Sequence, residues 1–124
     1  MKFTLTTPCD NCPFRSDIIF YLRKGRRKEI ADNLRHDKTF VCHKTVDYER
    51  WRETREDDDE AHYEYQGGEI HCAGALIAMH RKGEIQGNFL LRMAIMFGWL
   101  KIENLNMSAD VLDLDTWIES DNDL

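Results

Sequence analysis

The sequence has few features of a membrane, exported or nucleotide-binding protein. No run approaches the roughly 18 apolar residues that a membrane helix needs, and the densest apolar stretch, Phe89–Leu100, is interrupted by Arg92 and Gly98. The first residues lack the apolar core of a secretory signal. The sequence also has no Gly-x-Gly-x-x-Gly motif, no P-loop and no His-Glu-x-x-His pair. We therefore expect a cytoplasmic protein without a membrane partner, and a non-enzymatic role is favoured although catalysis stays open.

Proline is nearly absent, and its placement is informative. The two prolines, Pro8 and Pro13, flank the first pair of cysteines in a chain of 124 residues. Each fixes φ and removes an N–H donor, which predicts a rigid turn at that point. The length, with 42% hydrophobic and 32% charged residues, predicts one soluble domain over residues 1–124.

The spacing of apolar residues predicts a mainly α fold with long loops. Helices are expected over about 26–34, 70–82 and 88–97, with Asn88 as an N-cap and Cys72 in the first turn of the second helix. Residues 1–7 alternate weakly and could form a short strand.

Acidic residues dominate two further segments. Residues 53–64 contain a run of acids, which predicts a mobile loop, and residues 108–124 form an acidic tail. The tail also carries an apolar stripe, so we expect it to dock on the domain through Val111, Leu112, Leu114, Trp117 and Ile118.

Four cysteines are the main functional signal: Cys9, Cys12, Cys42 and Cys72. Because the cytoplasm keeps thiols reduced, metal binding is a better interpretation than a disulfide framework. A Cys-x-x-Cys turn can direct two thiolates toward one metal, and two further soft ligands complete a four-sulfur shell. Such a shell suits either an iron–sulfur cluster or a zinc ion.

The cysteine spacing favours a [4Fe–4S] cluster, with one Zn²⁺ as the alternative cofactor. Structural zinc sites typically use two short ligand pairs, and this chain has one. One pair, two remote single cysteines and a Cys-Pro step are typical of a cluster held between a loop and a helix. His43 and His71 lie next to cysteines, and either could replace a ligand in a zinc site or support the ligands.

The charges of the chain, which sum to −6, are divided unevenly. Residues 1–52 have twelve Lys and Arg against seven Asp and Glu, whereas residues 53–124 have five against sixteen. Such asymmetry indicates a face that meets a polyanion and a face that meets a basic partner, or simply two solvated faces. A weak candidate for contact with nucleic acid is the basic segment, formed by Arg23, Lys24, Arg26, Arg27 and Lys28.

Three motifs occur in order: Cys-Asp-Asn-Cys-Pro-Phe-Arg at 9–15, Phe-Val-Cys-His-Lys-Thr at 40–45 and Cys-Ala-Gly-Ala at 72–75. Together they resemble an uncharacterised family of small phage and bacterial proteins, to which the segments 26–34 and 112–115 are also similar. The resemblance implies a metal or cluster site and no established activity. A looser analogy is with the small WhiB-like regulators, which hold a four-cysteine [4Fe–4S] cluster and bind a sigma factor.

Three functional hypotheses follow. The leading one is a phage-type accessory or regulatory protein, placed in the host cytoplasm if phage-encoded, that holds a [4Fe–4S] cluster and binds a host protein of the transcription or defence machinery. The alternative is a zinc-stapled nucleic-acid-binding module that uses the basic segment at 23–28. The third is a cluster-dependent redox or nucleic-acid-processing enzyme.

Overall fold

The computed structural model describes residues 2–10, 12–18, 22–42 and 70–120. These residues contain four α-helices and two short 3-10 helices, and their β-pairing is limited to isolated bridges. The mainly α prediction is therefore confirmed for this part of the chain. The α-helices are α1 (Arg26–Arg35), α2 (Ala73–His80), α3 (Phe89–Met96) and α4 (Leu114–Glu119), and the 3-10 helices are Glu84–Gly87 and Ile102–Asn104.

Helix α2 is the centre of the core. Seven of its eight residues are buried, all except His80. Helix α1 contributes Ile30, Ala31 and Leu34 to the same core and packs against α4. The 3-10 helix at Glu84–Gly87 packs against both α2 and α3, which brings the two helices into one unit.

Helix α2 is shorter than the sequence predicts, because it begins at Ala73 and not near residue 70. The two preceding residues are held in extended pairing: Ile70 bridges to Lys2, and His71 bridges to Val41. Since these bonds hold the backbone extended, the helix cannot start earlier. Cys72 is consequently the N-cap of α2, one position before its first turn.

Helix α3 agrees with its predicted limits. It begins after Asn88, whose side chain accepts a hydrogen bond from the Leu91 N–H at 3.1 Å, as an N-cap does. It ends before Gly98, which adopts a left-handed φ of 76° and so permits the chain to reverse.

The C-terminal segment docks on the core, as predicted. Val111, Leu114 and Trp117 are buried, and the segment also forms α4, which the apolar stripe alone does not specify. Residues 2–7 pair through a single bridge instead of forming the expected strand. The predicted mobile loop at 53–64 and the last four residues of the acidic tail lie outside the described residues.

Candidate metal centre

Two of the predicted ligands, Cys12 and Cys72, are in direct contact. Their Sγ atoms lie 3.5 Å apart, both side chains are buried, and the residues are sixty positions apart in the chain. A disulfide requires about 2.05 Å between its sulfurs. The pair therefore consists of two reduced thiols placed side by side.

Gly74 permits this close approach. A Cβ atom at this position would lie 2.4 Å from Cys12 Sγ and 3.0 Å from Phe14 Cβ. Non-bonded atoms in a packed interior do not approach so closely, so a side chain here would displace Cys12. The motif at 72–75 contains this glycine, but nothing local in the sequence indicates its contact with a cysteine of the first pair.

The first cysteine pair lies in a tight turn. The Cys12 N–H donates to the Cys9 carbonyl oxygen at 3.2 Å, and the Arg15 N–H donates to the Cys12 carbonyl oxygen at 3.1 Å. Nη1 of Arg15 also donates to the Cys9 carbonyl oxygen at 3.4 Å. The turn keeps Cys9 in the same loop as Cys12, with Cys9 partly exposed and Cys12 buried.

Cys42 reaches the site through the pairing of residues 40–42 with the residues before α2. Val41 and His71 form an antiparallel bridge flanked by two backbone hydrogen bonds of 2.8 Å. Because side chains alternate along extended chains, Cys42 and Cys72 project from the same face as diagonal neighbours. Cys42 is buried.

The contact between the two sulfurs separates their pKa values. The pKa of Cys12 lies below its ordinary value, chiefly because the Cys72 thiol donates to it and also because of the N–H groups of Phe14 and Gly74. The pKa of Cys72 lies well above its ordinary value, because of its hydrogen bond to Cys12 and its burial. Cys12 therefore ionises first. A metal ion needs both groups as thiolates, so binding would release the Cys72 proton.

His71 is fully buried, and both of its ring nitrogens have backbone partners. The Phe40 N–H donates to Nε2 at 3.2 Å, and Nδ1 lies 3.1 Å from the Cys72 carbonyl oxygen. Burial lowers the pKa of His71 to about 4, so the ring is neutral and Nδ1 carries the proton that it donates. These bonds fit a ring that supports the ligand segments better than a ring that binds metal. His43 lies outside the described residues.

Most charges of the basic segment are paired on α1 or next to it. Glu29 accepts from Arg23 at 2.9 Å and from Arg26 at 3.2 Å, and Lys28 Nζ lies 3.2 Å from Asp32. These exposed pairs reduce the positive potential that a phosphate backbone would meet.

Arg27 belongs to the core side of α1. It is 7% exposed, its guanidinium lies 5.3 Å from the centre of the Trp117 ring, and Nη1 donates to Ser120 Oγ at 2.8 Å. Arg27 thus joins α1 to α4 and is not presented to a phosphate. Lys24 is exposed at the surface.

The pair of Cys12 and Cys72 is the assembled part of the candidate centre. Over residues 2–10, 12–18, 22–42 and 70–120, no three His, Cys, Asp or Glu side chains are arranged closely enough to share one metal ion. Cys9 lies in the turn that holds Cys12, and Cys42 projects from the same face as Cys72. A four-sulfur shell would require Cys9 and Cys42 to come closer to this pair than they lie in the structure.

No family model, curated protein or solved structure matches this chain. The resemblance to a family of phage and bacterial proteins therefore stays a prediction. Among the helices that the structure describes, none has the length and apolar character needed to cross a membrane.

Proposed function

We propose that the chain holds one metal centre through Cys9, Cys12, Cys42 and Cys72, and that this centre fastens a small scaffold that binds another macromolecule. The observation that carries the proposal is the 3.5 Å separation of the buried Cys12 and Cys72 sulfurs. Two chain segments meet there, and a third, at 40–42, pairs with the residues before α2. Thiols are the ligands that zinc and iron–sulfur centres prefer.

The sulfur separation favours a single ion. Two thiolates on one tetrahedral zinc, each about 2.3 Å from the metal, lie about 3.8 Å apart, close to the 3.5 Å between Cys12 and Cys72. In a [4Fe–4S] cluster the cysteines bind different irons, which holds their sulfurs further apart. Zinc is accordingly our first candidate, and the cluster, which the sequence spacing favours, is the second.

Either group would act through its effect on folding. The four cysteines would tie the loop at 9–15 and the segment at 40–42 to the buried helix α2. Because such a site does not exist in the unfolded chain, the free energy of metal binding adds to the free energy of folding. The residues themselves supply the thiolates and the hydrogen bonds that orient them.

The metal is identified by purifying the protein anaerobically and measuring iron, sulfide and zinc with the ultraviolet–visible spectrum of the same sample. A colourless protein with about one zinc per chain is expected. Absorption near 400 nm with about four irons and four sulfides would establish the cluster instead, and would reopen the hypothesis of a cluster-dependent enzyme. A folded protein without any of these metals would overturn the proposal.

Individual ligands are tested by replacing each cysteine with serine. Cys12→Ser and Cys72→Ser should each abolish stoichiometric metal binding and lower the melting temperature. The control is His36→Gln, which removes a potential ligand at the exposed end of α1 and should leave the metal content unchanged.

The partner is better explained as a protein than as a nucleic acid. The structure pairs Arg23, Arg26 and Lys28 with acids and buries Arg27, which leaves the basic segment a weak ligand for phosphates. Nucleic-acid binding would be favoured if DNA or RNA were retained at low salt and released by Lys24→Ala combined with Lys28→Ala.

A further inference from the structure

Helix α3 is apolar at every position except Arg92, but it buries only one of its sides. Leu91 and Ala94 face the core, whereas Phe89, Leu90 and Met96 are 50%, 47% and 68% exposed. A helix that is apolar all round is normally covered on all sides.

The exposed apolar area continues beyond the end of α3. Phe97 and Trp99 are 57% and 65% exposed, and their rings stack with centroids 5.1 Å apart. We call the five residues the α3 surface: Phe89, Leu90, Met96, Phe97 and Trp99. A groove of about 340 Å³ runs along it and is lined by Gln86, Phe89, Arg92, Met93, Ile95 and Met96. The two methionines can adjust their shape to an entering side chain.

The helix that carries the α3 surface is firmly positioned. The buried Asn88 side chain donates to the carbonyl oxygens of Leu34 and Lys38 at 2.7 and 2.9 Å. The Phe89 N–H donates to Asp37 Oδ1 at 2.7 Å. A partner would therefore meet a preorganised surface and would not have to order it.

Helix α3 itself carries one charged residue, Arg92, and no carboxylate. From Gly87 to Ile102 the charged residues are Arg92 and Lys101, in a chain whose net charge is −6. The Arg92 guanidinium lies 5.8 Å from the centre of the Phe89 ring, so the positive charge lies at the groove itself. Complementarity calls for a ligand that combines apolar side chains with carboxylates.

We infer that the α3 surface binds an amphipathic helix of a partner protein, with apolar side chains in the groove and acidic residues facing Arg92. This inference rests on the proposed function in assuming a protein partner. A symmetric second copy would present the same helix, which has no carboxylate to pair with Arg92. An anionic membrane would gain from two cations but repel a chain of charge −6.

The test uses two synthetic helical peptides of about 18 residues that share one apolar face of Leu and Phe. The polar face is Glu in one peptide and Lys in the other. Dissociation constants are measured by calorimetry at low and physiological salt, on full-length protein whose metal content is determined in each sample. Sedimentation analysis and flotation with phosphatidylglycerol vesicles are run in parallel.

We expect the Glu peptide to bind about tenfold more tightly than the Lys peptide. Arg92→Glu should reverse this preference, and Met96→Ala should weaken the binding of both peptides. Lys28→Glu, which makes the same change of charge on α1, should leave the preference unchanged. The inference would be overturned if the two peptides bound equally or if neither bound. It would also be overturned if Met96→Ala abolished either self-association of the protein or its binding to vesicles. If the metal content were normal in those cases, the proposed metal centre would still be supported. If the protein contained no metal but kept its preference for the Glu peptide, only the proposed metal centre would be overturned.

Discussion

The indole Nε1 of Trp117 donates a hydrogen bond to the carbonyl oxygen of Pro13, 2.9 Å away. The same indole ring stacks on Phe14, with ring centroids 4.2 Å apart. Both partners directly follow Cys12 in the chain. The C-terminal helix α4 therefore supports the cysteine turn, although about a hundred residues separate them in sequence.

Trp117→Phe should destabilise the protein and disturb the turn. The change keeps an aromatic ring but leaves the buried Pro13 carbonyl oxygen without its donor and removes packing volume, which together cost about 2–3 kcal/mol. Urea denaturation measures the loss. The control is Trp99→Phe, because Trp99 is 65% exposed and its replacement should change the free energy of unfolding by less than about 0.5 kcal/mol. Equal effects of the two changes would show that the bond to Pro13 contributes nothing.

The helices that the sequence predicts well have local signals. Helix α3 has both an N-cap at Asn88 and a glycine after its end, and α1 has a regular apolar spacing. The start of α2 differs from the prediction because its position depends on bridges to Lys2 and Val41, which are distant in sequence. Pairing of that kind leaves no periodic pattern near residue 70.

The four cysteines stay a predicted ligand set, and the contacts that support two of them have no local signal in the sequence. Spacing identifies the cysteines, and the structure places two of them in contact. The roles of Gly74 and Trp117 depend on contacts with the turn at 12–14, from which both are distant in sequence. A single sequence gives no measure of such distances.

Arg27→Ala should lower stability although Arg27 lies in a basic segment. Its guanidinium lies 5.3 Å from the centre of the Trp117 ring and donates to Ser120 Oγ, so the change removes buried packing and a hydrogen bond. We expect a loss of about 2 kcal/mol in the free energy of unfolding. Arg26→Ala removes the same side chain from an exposed ion pair and should have little effect. The interpretation would be wrong if Arg26→Ala were the more damaging change.

Gly74→Ala should weaken metal binding, whereas Gly87→Ala should not. The new Cβ would lie 2.4 Å from Cys12 Sγ, so the sulfur must move away from Cys72. We expect metal affinity, measured by competition with a chelator, to fall at least about tenfold, the order seen when the support of a ligand is lost. Gly87→Ala is the matched control, since a Cβ there meets nothing within 4 Å. Unchanged affinity in Gly74→Ala would remove Cys12 from the centre.

Asn88→Ala should detach the start of α3 from α1. Its amide donates to the Leu34 and Lys38 carbonyl oxygens, and its oxygen accepts the Leu91 N–H. Losing the cap and leaving buried carbonyls unsatisfied costs about 2–4 kcal/mol. Thermal denaturation monitored by circular dichroism measures this loss. The control is Asn104→Ala, which changes an exposed asparagine and should leave the melting temperature almost unaltered. Similar decreases in melting temperature in both variants would contradict the role of Asn88 in holding α3 to α1.

The neutral, buried His71 should make the protein sensitive to mild acid. Burial lowers the pKa of His71 from 6.5 to about 4, so the unfolded chain binds a proton more readily than the folded chain between these values. The contribution of neutral His71 to the free energy of unfolding is therefore fully present above pH 6.5, and it decreases as the pH drops toward 4. The total loss is about 3 kcal/mol, since one pKa unit corresponds to about 1.4 kcal/mol.

Because acid also removes metal from thiolates, the contribution of His71 must be isolated by difference. Denaturation curves of the wild type and of His71→Gln are compared at several pH values, with metal content measured in each sample. The Gln variant should lose less stability over the same range, because its amide does not titrate there. Nitrogen-15 NMR of the imidazole provides a direct check, with Nδ1 protonated and Nε2 accepting from the Phe40 N–H. A ring that titrates near 6.5, or a proton on Nε2, would show that this hydrogen-bond pattern does not hold the cysteine segments together.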